Sequence, residues 1–151
     1  MQDSYDSLNW GAAWAWGVPI VAATVLMHGA GLSLIRSGVV GWLARRGLRA
    51  GAPMTEAALL IGAVVILVTF LHGVEAAIWA SLYVHLGAIG TMRGAMLYSL
   101  GAMTTFGGAR LALDADWQML GAIEALNGMM LFGLTTAFLF QVIDRVWPRH
   151  I

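Results

Sequence analysis

The sequence contains no cysteine and no lysine, and only 11% of its residues are charged. Without thiols it has neither disulfides nor thiolate metal sites. Its formal net charge is zero, so there is no electrostatic case for a nucleic-acid partner. No nucleophile–base pair and no cofactor motif is present, so an enzyme ranks behind the other interpretations, and no cofactor is expected.

Apolar residues dominate the composition of the chain. They make up 60% of the chain, and the mean hydropathy is +0.78, whereas soluble domains are about 45–50% apolar. This composition predicts an all-α integral membrane protein with one membrane domain over residues 1–151. The apolar runs and their polar breaks predict three spanning helices, a short helix and a loop: an outer helix at 9–43, a second at 55–88, the short helix at 92–104, the loop at 105–110 and an inner helix at 116–147.

The arginines predict the orientation in the membrane. Four of them, Arg36, Arg45, Arg46 and Arg49, flank the first connection, and two more, Arg145 and Arg149, follow the last helix. Acidic residues precede the first helix instead, and Trp10, Trp14 and Trp16 mark its outer end. The positive-inside rule therefore predicts a multi-pass protein of the inner (plasma) membrane, with the N-terminus outside and the C-terminus in the cytoplasm.

The most informative stretch is MRGAMLYSLGAMTTFGGAR, from Met92 to Arg110. It lies between two long apolar segments and is too short to cross a bilayer. Adjacent glycines, Gly107 and Gly108, favour an end to the helix there. Irregular backbone at membrane depth is tolerated where it is buried in protein or lines water. The stretch therefore predicts a re-entrant helix with a pore-like loop, although a glycine-rich loop that only closes a helix hairpin is the alternative.

These residues resemble the pore helix and selectivity filter of the potassium-channel superfamily, whose pattern is roughly A-L-Y-F-S-L-x-T-x-T-T-V-G-Y-G-D. Six residues match it: Ala95, Ser99, Leu100, Thr104, Thr105 and Gly107. Tyr98 keeps an aromatic side chain, whereas Phe106, Gly108, Ala109 and Arg110 replace Val, Tyr, Gly and Asp of the pattern. The last apolar segment is similar to the inner helix of small bacterial pore-loop channels, so the chain resembles a two-helix pore with an extra N-terminal helix.

The resemblance implies a homotetramer in the lipid bilayer, with one pore loop from each chain around a central pore. Its filter would consist of Thr104, Thr105, Phe106, Gly107, Gly108 and Ala109. Backbone carbonyls there would replace the hydration shell of a monovalent cation such as potassium. The replaced residues at Gly108, Ala109 and Arg110 make potassium selectivity doubtful.

Four residues are predicted to support the filter: Arg110, Glu75, Glu124 and His72. Buried carboxylates are costly in lipid, so Glu75 and Glu124 should face protein. They either pair with Arg110 or Arg93, or they hydrogen-bond the backbone of the short helix or Trp79, and the sequence leaves both alternatives open.

His72 and Glu75 share a helical face, and His28 would complete a possible zinc or iron ligand set. Counting residues from the helix ends, however, predicts that His28 and His72 lie about 10 Å or more apart along the membrane normal. We therefore expect no metal site, and we interpret these residues as polar contacts between helices.

The inner helix carries candidate cavity and gate positions by resemblance to the family: Asn127, Gly128, Gly133, Thr135, Thr136 and Phe138. Plain helix packing is the alternative, because small residues are common where membrane helices meet. The predicted function is passive monovalent cation conduction. The alternative is a channel-fold membrane protein that does not conduct and acts as a structural or interaction subunit.

Overall fold

A computed structural model describes residues 10–47, 53–106 and 112–147, and within them the regular secondary structure is entirely helical. These described residues form four α-helices, and a 3₁₀ turn, Ala115–Trp117, leads into the last of them. The helices are α1 (Trp10–Arg45), α2 (Met54–His85), α3 (Met92–Met103) and α4 (Gln118–Val146). Their ends differ from the predicted ones by at most three residues.

Three of these segments are long and apolar enough to cross a membrane: Trp10–Arg45, Met54–His85 and Ala115–Val146. Because a helix rises about 1.5 Å per residue, α1 and α2 exceed the roughly 30 Å of the hydrocarbon core. The predicted all-helical chain with three long apolar helices is therefore confirmed. In contrast, α3 has 12 residues and is only about 18 Å long.

The helix ends follow from local sequence. Pro53 directly precedes α2, where its missing N–H costs no helical hydrogen bond. At the other end, Gly87 has a φ of 69°, and Ala88 N–H donates to the Tyr83 carbonyl at 2.9 Å. This left-handed glycine ends α2, because it caps the last carbonyls and turns the chain away.

The chain divides into two compact units, and each long helix contributes residues to both. The first unit comprises the described parts of Met1–Leu26 and Gly73–Leu131. Its core includes Ala95 of α3 together with Trp79, Tyr83 and Leu120, all fully buried. The first unit therefore holds the predicted pore helix.

The second unit comprises the described parts of Met27–His72 and Phe132–Ile151. Its core is aliphatic apart from Phe138 and is formed by Leu32, Val39, Leu43, Ala57, Val64, Val68, Phe138, Val142 and Val146. Near one end of this unit, Arg46 pairs with Glu56 at 3.5 Å; the Arg46 side chain is exposed and Glu56 is partly buried. An ion pair with an exposed guanidinium contributes little to stability.

Candidate functional site

Helix α3 is fixed at its start by a side-chain cap. Thr91 is extended (φ −135°, ψ 140°), and its hydroxyl accepts a hydrogen bond from Gly94 N–H at 3.2 Å. Such a cap satisfies one of the N–H groups that have no partner within the helix. The short helix therefore begins at Met92 because of its own sequence, and its residues Ala95, Ser99, Gly101 and Met103 are buried.

Ser99 anchors the middle of α3 to two neighbouring helices. Its hydroxyl lies 2.9 Å from the Ala76 carbonyl oxygen of α2 and contacts the Glu124 carboxyl group of α4. Glu124 also accepts a hydrogen bond from the Tyr83 hydroxyl at 2.6 Å. Ser99, Glu124 and Tyr83 are completely buried, and we call them the Ser99–Glu124–Tyr83 network.

Counting protons in this network indicates the state of Glu124. A serine hydroxyl has one proton to donate, yet Ser99 Oγ lies within hydrogen-bond distance of both the Ala76 oxygen and a Glu124 oxygen. Both contacts are hydrogen bonds when Glu124 carries a proton and donates it to Ser99, which in turn donates to Ala76. An ionised carboxylate would leave two of these oxygens facing each other without a proton between them. A neutral Glu124 also avoids the cost of a charge in lipid.

Tyr98 of α3 packs against Tyr83 of this network. Its ring meets that of Tyr83 edge to face, with centroids 5.4 Å apart. Burial raises the pKa of the Tyr98 hydroxyl above its ordinary value. Tyr98 therefore remains a neutral hydroxyl at physiological pH.

Two glycines of α4 let α3 approach closely. A Cβ on Gly121 would overlap the Tyr98 hydroxyl, and a Cβ on Gly128 would overlap the Met103 backbone, with Met103 Cα at 2.5 Å. The Tyr98 contact involves the far end of a side chain, whereas the Met103 contact involves main chain. Gly128 is therefore the position at which any side chain would displace the C-terminal end of α3.

The predicted filter begins where α3 ends. Thr104 and Thr105 donate backbone N–H groups to Leu100 and Ala102 at 3.1 Å, and both threonines are exposed. Thr105 has a φ of 56°, a left-handed conformation that is strained for a β-branched residue. Phe106 is 84% exposed. Gly107, Gly108, Ala109 and Arg110 lie outside the described residues, so their predicted roles in the filter and its support stay predictions.

The two predicted supporting glutamates are both fully buried. Glu124 contacts α3 through Ser99, a side chain rather than the helix backbone. Glu75 lies on α2 within the first unit, one residue before Ala76, to which Ser99 is bonded. Arg93 is exposed at the start of α3.

Two histidines meet in the second unit. The His28 and His72 ring centroids are 5.1 Å apart, and both Nε2 atoms lie 3.1 Å from Thr135 Oγ1. Their predicted separation was therefore wrong. His28 lies 17 residues before the end of α1, and His72 lies 18 residues after the start of α2, so an antiparallel pair of helices brings them level.

Thr135 has only one hydroxyl proton. At least one of the two histidines must therefore donate its own Nε2–H to the Thr135 oxygen for both contacts to be hydrogen bonds. His72 also stacks on Phe132, with centroids 4.4 Å apart and an angle of 18° between the rings. This cluster joins α1, α2 and α4 within the second unit, as expected for polar contacts between membrane helices.

The predicted cavity and gate residues of α4 point to different sides. Asn127 is completely buried in the first unit and donates its amide to Thr24 Oγ1 at 2.9 Å. Thr135 and Phe138 are also buried, whereas Gly133 and Thr136 are exposed, and the Thr136 hydroxyl bonds to its own helix at Phe132. Buried side chains do not line a space between chains. Any such lining would come instead from exposed residues of α4.

Sequence reasoning missed Tyr83 and Thr24, and it treated Ser99 only as a match to the family pattern. Each of these polar side chains lies inside an apolar helix or an apolar core, which by itself indicates a specific partner. The arrangement as a whole holds hydrogen-bonded polar groups between helices, and such contacts fix the positions of the helices.

Comparisons with protein families, with curated proteins and with solved structures give no match to this chain.

Proposed function

We propose that this protein is a passive monovalent cation pore, formed by a homotetramer, in which α3 acts as the pore helix and residues 104–109 line the ion path. One observation carries the proposal. A 12-residue helix buries one face, is anchored through Ser99 to the long apolar helices α2 and α4, and ends at the exposed residues Thr104, Thr105 and Phe106.

The physical case begins with length. At about 18 Å, α3 is shorter than the roughly 30 Å hydrocarbon core, so a helix of this length that enters the membrane ends inside it. Irregular backbone at that depth is tolerated where it lines water or is buried in protein. The C-terminal end of α3 also carries partial negative charge, which favours a cation nearby. The strained φ of Thr105 falls at this point, and strain of this kind concentrates at functional sites.

The tetramer is supported by surfaces that one chain leaves open. In the first unit, the apolar side chains Leu97 and Leu100 of α3 and Leu126, Met129 and Met130 of α4 are exposed. One chain supplies one short helix and one loop, so a closed pathway requires several copies around an axis. The fourfold number comes from the resemblance to the potassium-channel superfamily.

A second candidate function has its own observation. The exposed face of α4 in the first unit is apolar at Leu126, Met129 and Met130, while the polar Asn127 is turned inward to Thr24. A pore lined by such a face closes to ions by dewetting. The second candidate is therefore a channel-fold protein that does not conduct and serves as a structural or interaction subunit.

Ion flux in liposomes distinguishes the two. Purified protein is reconstituted with potassium inside and an impermeant organic cation outside, so that a pore for monovalent cations generates a potential whether or not it discriminates potassium from sodium, and this potential is followed with a voltage-sensitive dye. The cation pore is expected to give flux that Gly128→Ala greatly reduces, because the new methyl displaces Met103 at the end of α3. The matched control is Gly62→Ala, since nothing lies within 4 Å of a Cβ at that position. Absence of flux from folded wild-type protein would favour the second candidate.

Selectivity and stoichiometry have separate tests. Restoring the family pattern with Gly108→Tyr, Ala109→Gly and Arg110→Asp together is expected to raise potassium over sodium permeability in bilayers. Strong potassium selectivity of the unmodified protein would contradict our interpretation of these replacements. Native mass spectrometry is expected to show a tetramer, and a dimer or trimer as the sole species would contradict the fourfold assembly.

A further inference from the structure

A cavity in the second unit opens between α1 and α4. It has a volume of about 290 Å³, and two arginines from different helices, Arg36 and Arg145, line it. Gln141 and Asp144 are the other polar residues of its lining. The remaining walls are apolar and come from Val39, Val40, Phe138, Phe140 and Val142. The cavity therefore combines two guanidinium groups with a hydrocarbon surface.

The net charge of the residues that line this cavity favours a ligand with a single negative charge. Two guanidiniums and one carboxylate leave a net charge of +1, which a phosphodiester group balances. Guanidinium binds phosphate oxygens in a paired geometry, and arginine is well suited to such sites. The Gln141 amide adds a neutral donor at the same place. Since the adjoining walls are apolar, a ligand with both a phosphate and hydrocarbon chains matches the lining better than a free ion.

The two arginines of the cavity lie near one end of their helices, at the level expected for a lipid headgroup. Arg145 is the second-last residue of α4, and Arg36 lies nine residues before the end of α1, about 14 Å along the helix axis. A long arginine side chain extends toward the interface from such a depth. Trp147 is 42% exposed just beyond α4, and tryptophan is enriched at the level of the headgroups.

We propose that this cavity binds the phosphate of an anionic phospholipid such as phosphatidylglycerol, with its acyl chains against Phe138 and its aliphatic neighbours. Basic pockets between membrane helices are suited to this class of lipid. The proposal does not depend on whether the protein conducts ions.

Native mass spectrometry of the full chain, released from detergent with added lipid, measures the binding. Phosphatidylglycerol is expected to bind more tightly than phosphatidylethanolamine, which carries no net charge. Arg36→Gln and Arg145→Gln are each expected to weaken phosphatidylglycerol binding about fivefold. The matched control is Arg45→Gln, because Arg45 is exposed at the end of α1 and does not line the cavity.

Three results would overturn the proposal. The first is that the two lipids bind equally well. The second is that Arg45→Gln loses as much binding as the cavity variants do. The third is that millimolar inorganic phosphate displaces phosphatidylglycerol completely. The last result would mean that the cavity takes a free anion. If the variants fail to fold, wild-type protein is crosslinked to a phosphatidylglycerol with a photoreactive headgroup. Crosslinks are expected in 36–40 and 138–145, and crosslinks confined to other segments would refute the lipid site.

Discussion

Replacing Glu124 tests the conclusion that this residue is protonated in the Ser99–Glu124–Tyr83 network and donates its proton to Ser99. Glu124→Gln retains a carbonyl oxygen for the Tyr83 hydroxyl and supplies an amide N–H that donates to Ser99, as the protonated acid does. We therefore expect Glu124→Gln to change the free energy of unfolding by less than about 0.5 kcal/mol, because no hydrogen bond is lost.

Glu124→Leu, in contrast, is expected to lower the free energy of unfolding substantially. It removes two interhelical hydrogen bonds, each worth about 0.6 kcal/mol on average in membrane proteins. It also leaves the buried Tyr83 hydroxyl without its acceptor, at a cost of about 1–3 kcal/mol. The total of about 2–4 kcal/mol corresponds to a fall in Tm of roughly 4–16 °C for a chain of this size.

The assay is thermal unfolding in detergent, followed by far-ultraviolet circular dichroism. Ser99→Ala is expected to behave like Glu124→Leu, whereas Ser81→Ala is the matched control, because the exposed Ser81 hydroxyl bonds only to its own helix, at Ala77. If Glu124→Gln lowers Tm as much as Glu124→Leu does, the carboxyl group acts as a charge and the proton count is wrong. Infrared difference spectroscopy provides a direct check, since a protonated Glu124 has a carboxylic C=O band that Glu124→Gln abolishes.

Three further predictions follow from named contacts. Gly128→Ala should lower Tm more than Gly62→Ala, because its methyl group meets backbone atoms, and equal effects would count against close packing there. Thr135→Val should cost about 1–3 kcal/mol by removing the hydroxyl shared by two histidines, and Thr136→Val, at an exposed position, should cost little. Thr105→Gly should raise the free energy of unfolding by about 1 kcal/mol, because glycine adopts the left-handed φ without the steric strain of threonine. A loss of stability would contradict the inference that Thr105 is strained.

Much of the fold was predictable because it depends on short segments. Helix α3 begins at Met92 because Thr91 caps it, and α2 ends near Gly87 because a glycine adopts a positive φ there. Such signals act over a few residues and do not require knowledge of distant partners. The length of each apolar run likewise predicted which helices are long enough to span a bilayer.

The partners of the buried polar groups were not predictable. Glu124 meets residues 25 and 41 positions away, and His28 meets a threonine 107 positions away. Which face of a helix turns inward depends on its rotation about its own axis. Because α1 and α2 are apolar around nearly their whole circumference, no polar stripe predicts that rotation.

The sequence alone determined the class of the protein and its list of helices, since hydrophobic length and local caps act within each segment. The tertiary structure decided that His28 and His72 lie side by side, that Asn127 is buried and donates to Thr24, and that Ser99 joins α3 to both neighbours. These outcomes depend on how helices pack against one another, and packing is set by many contacts at once rather than by any one segment.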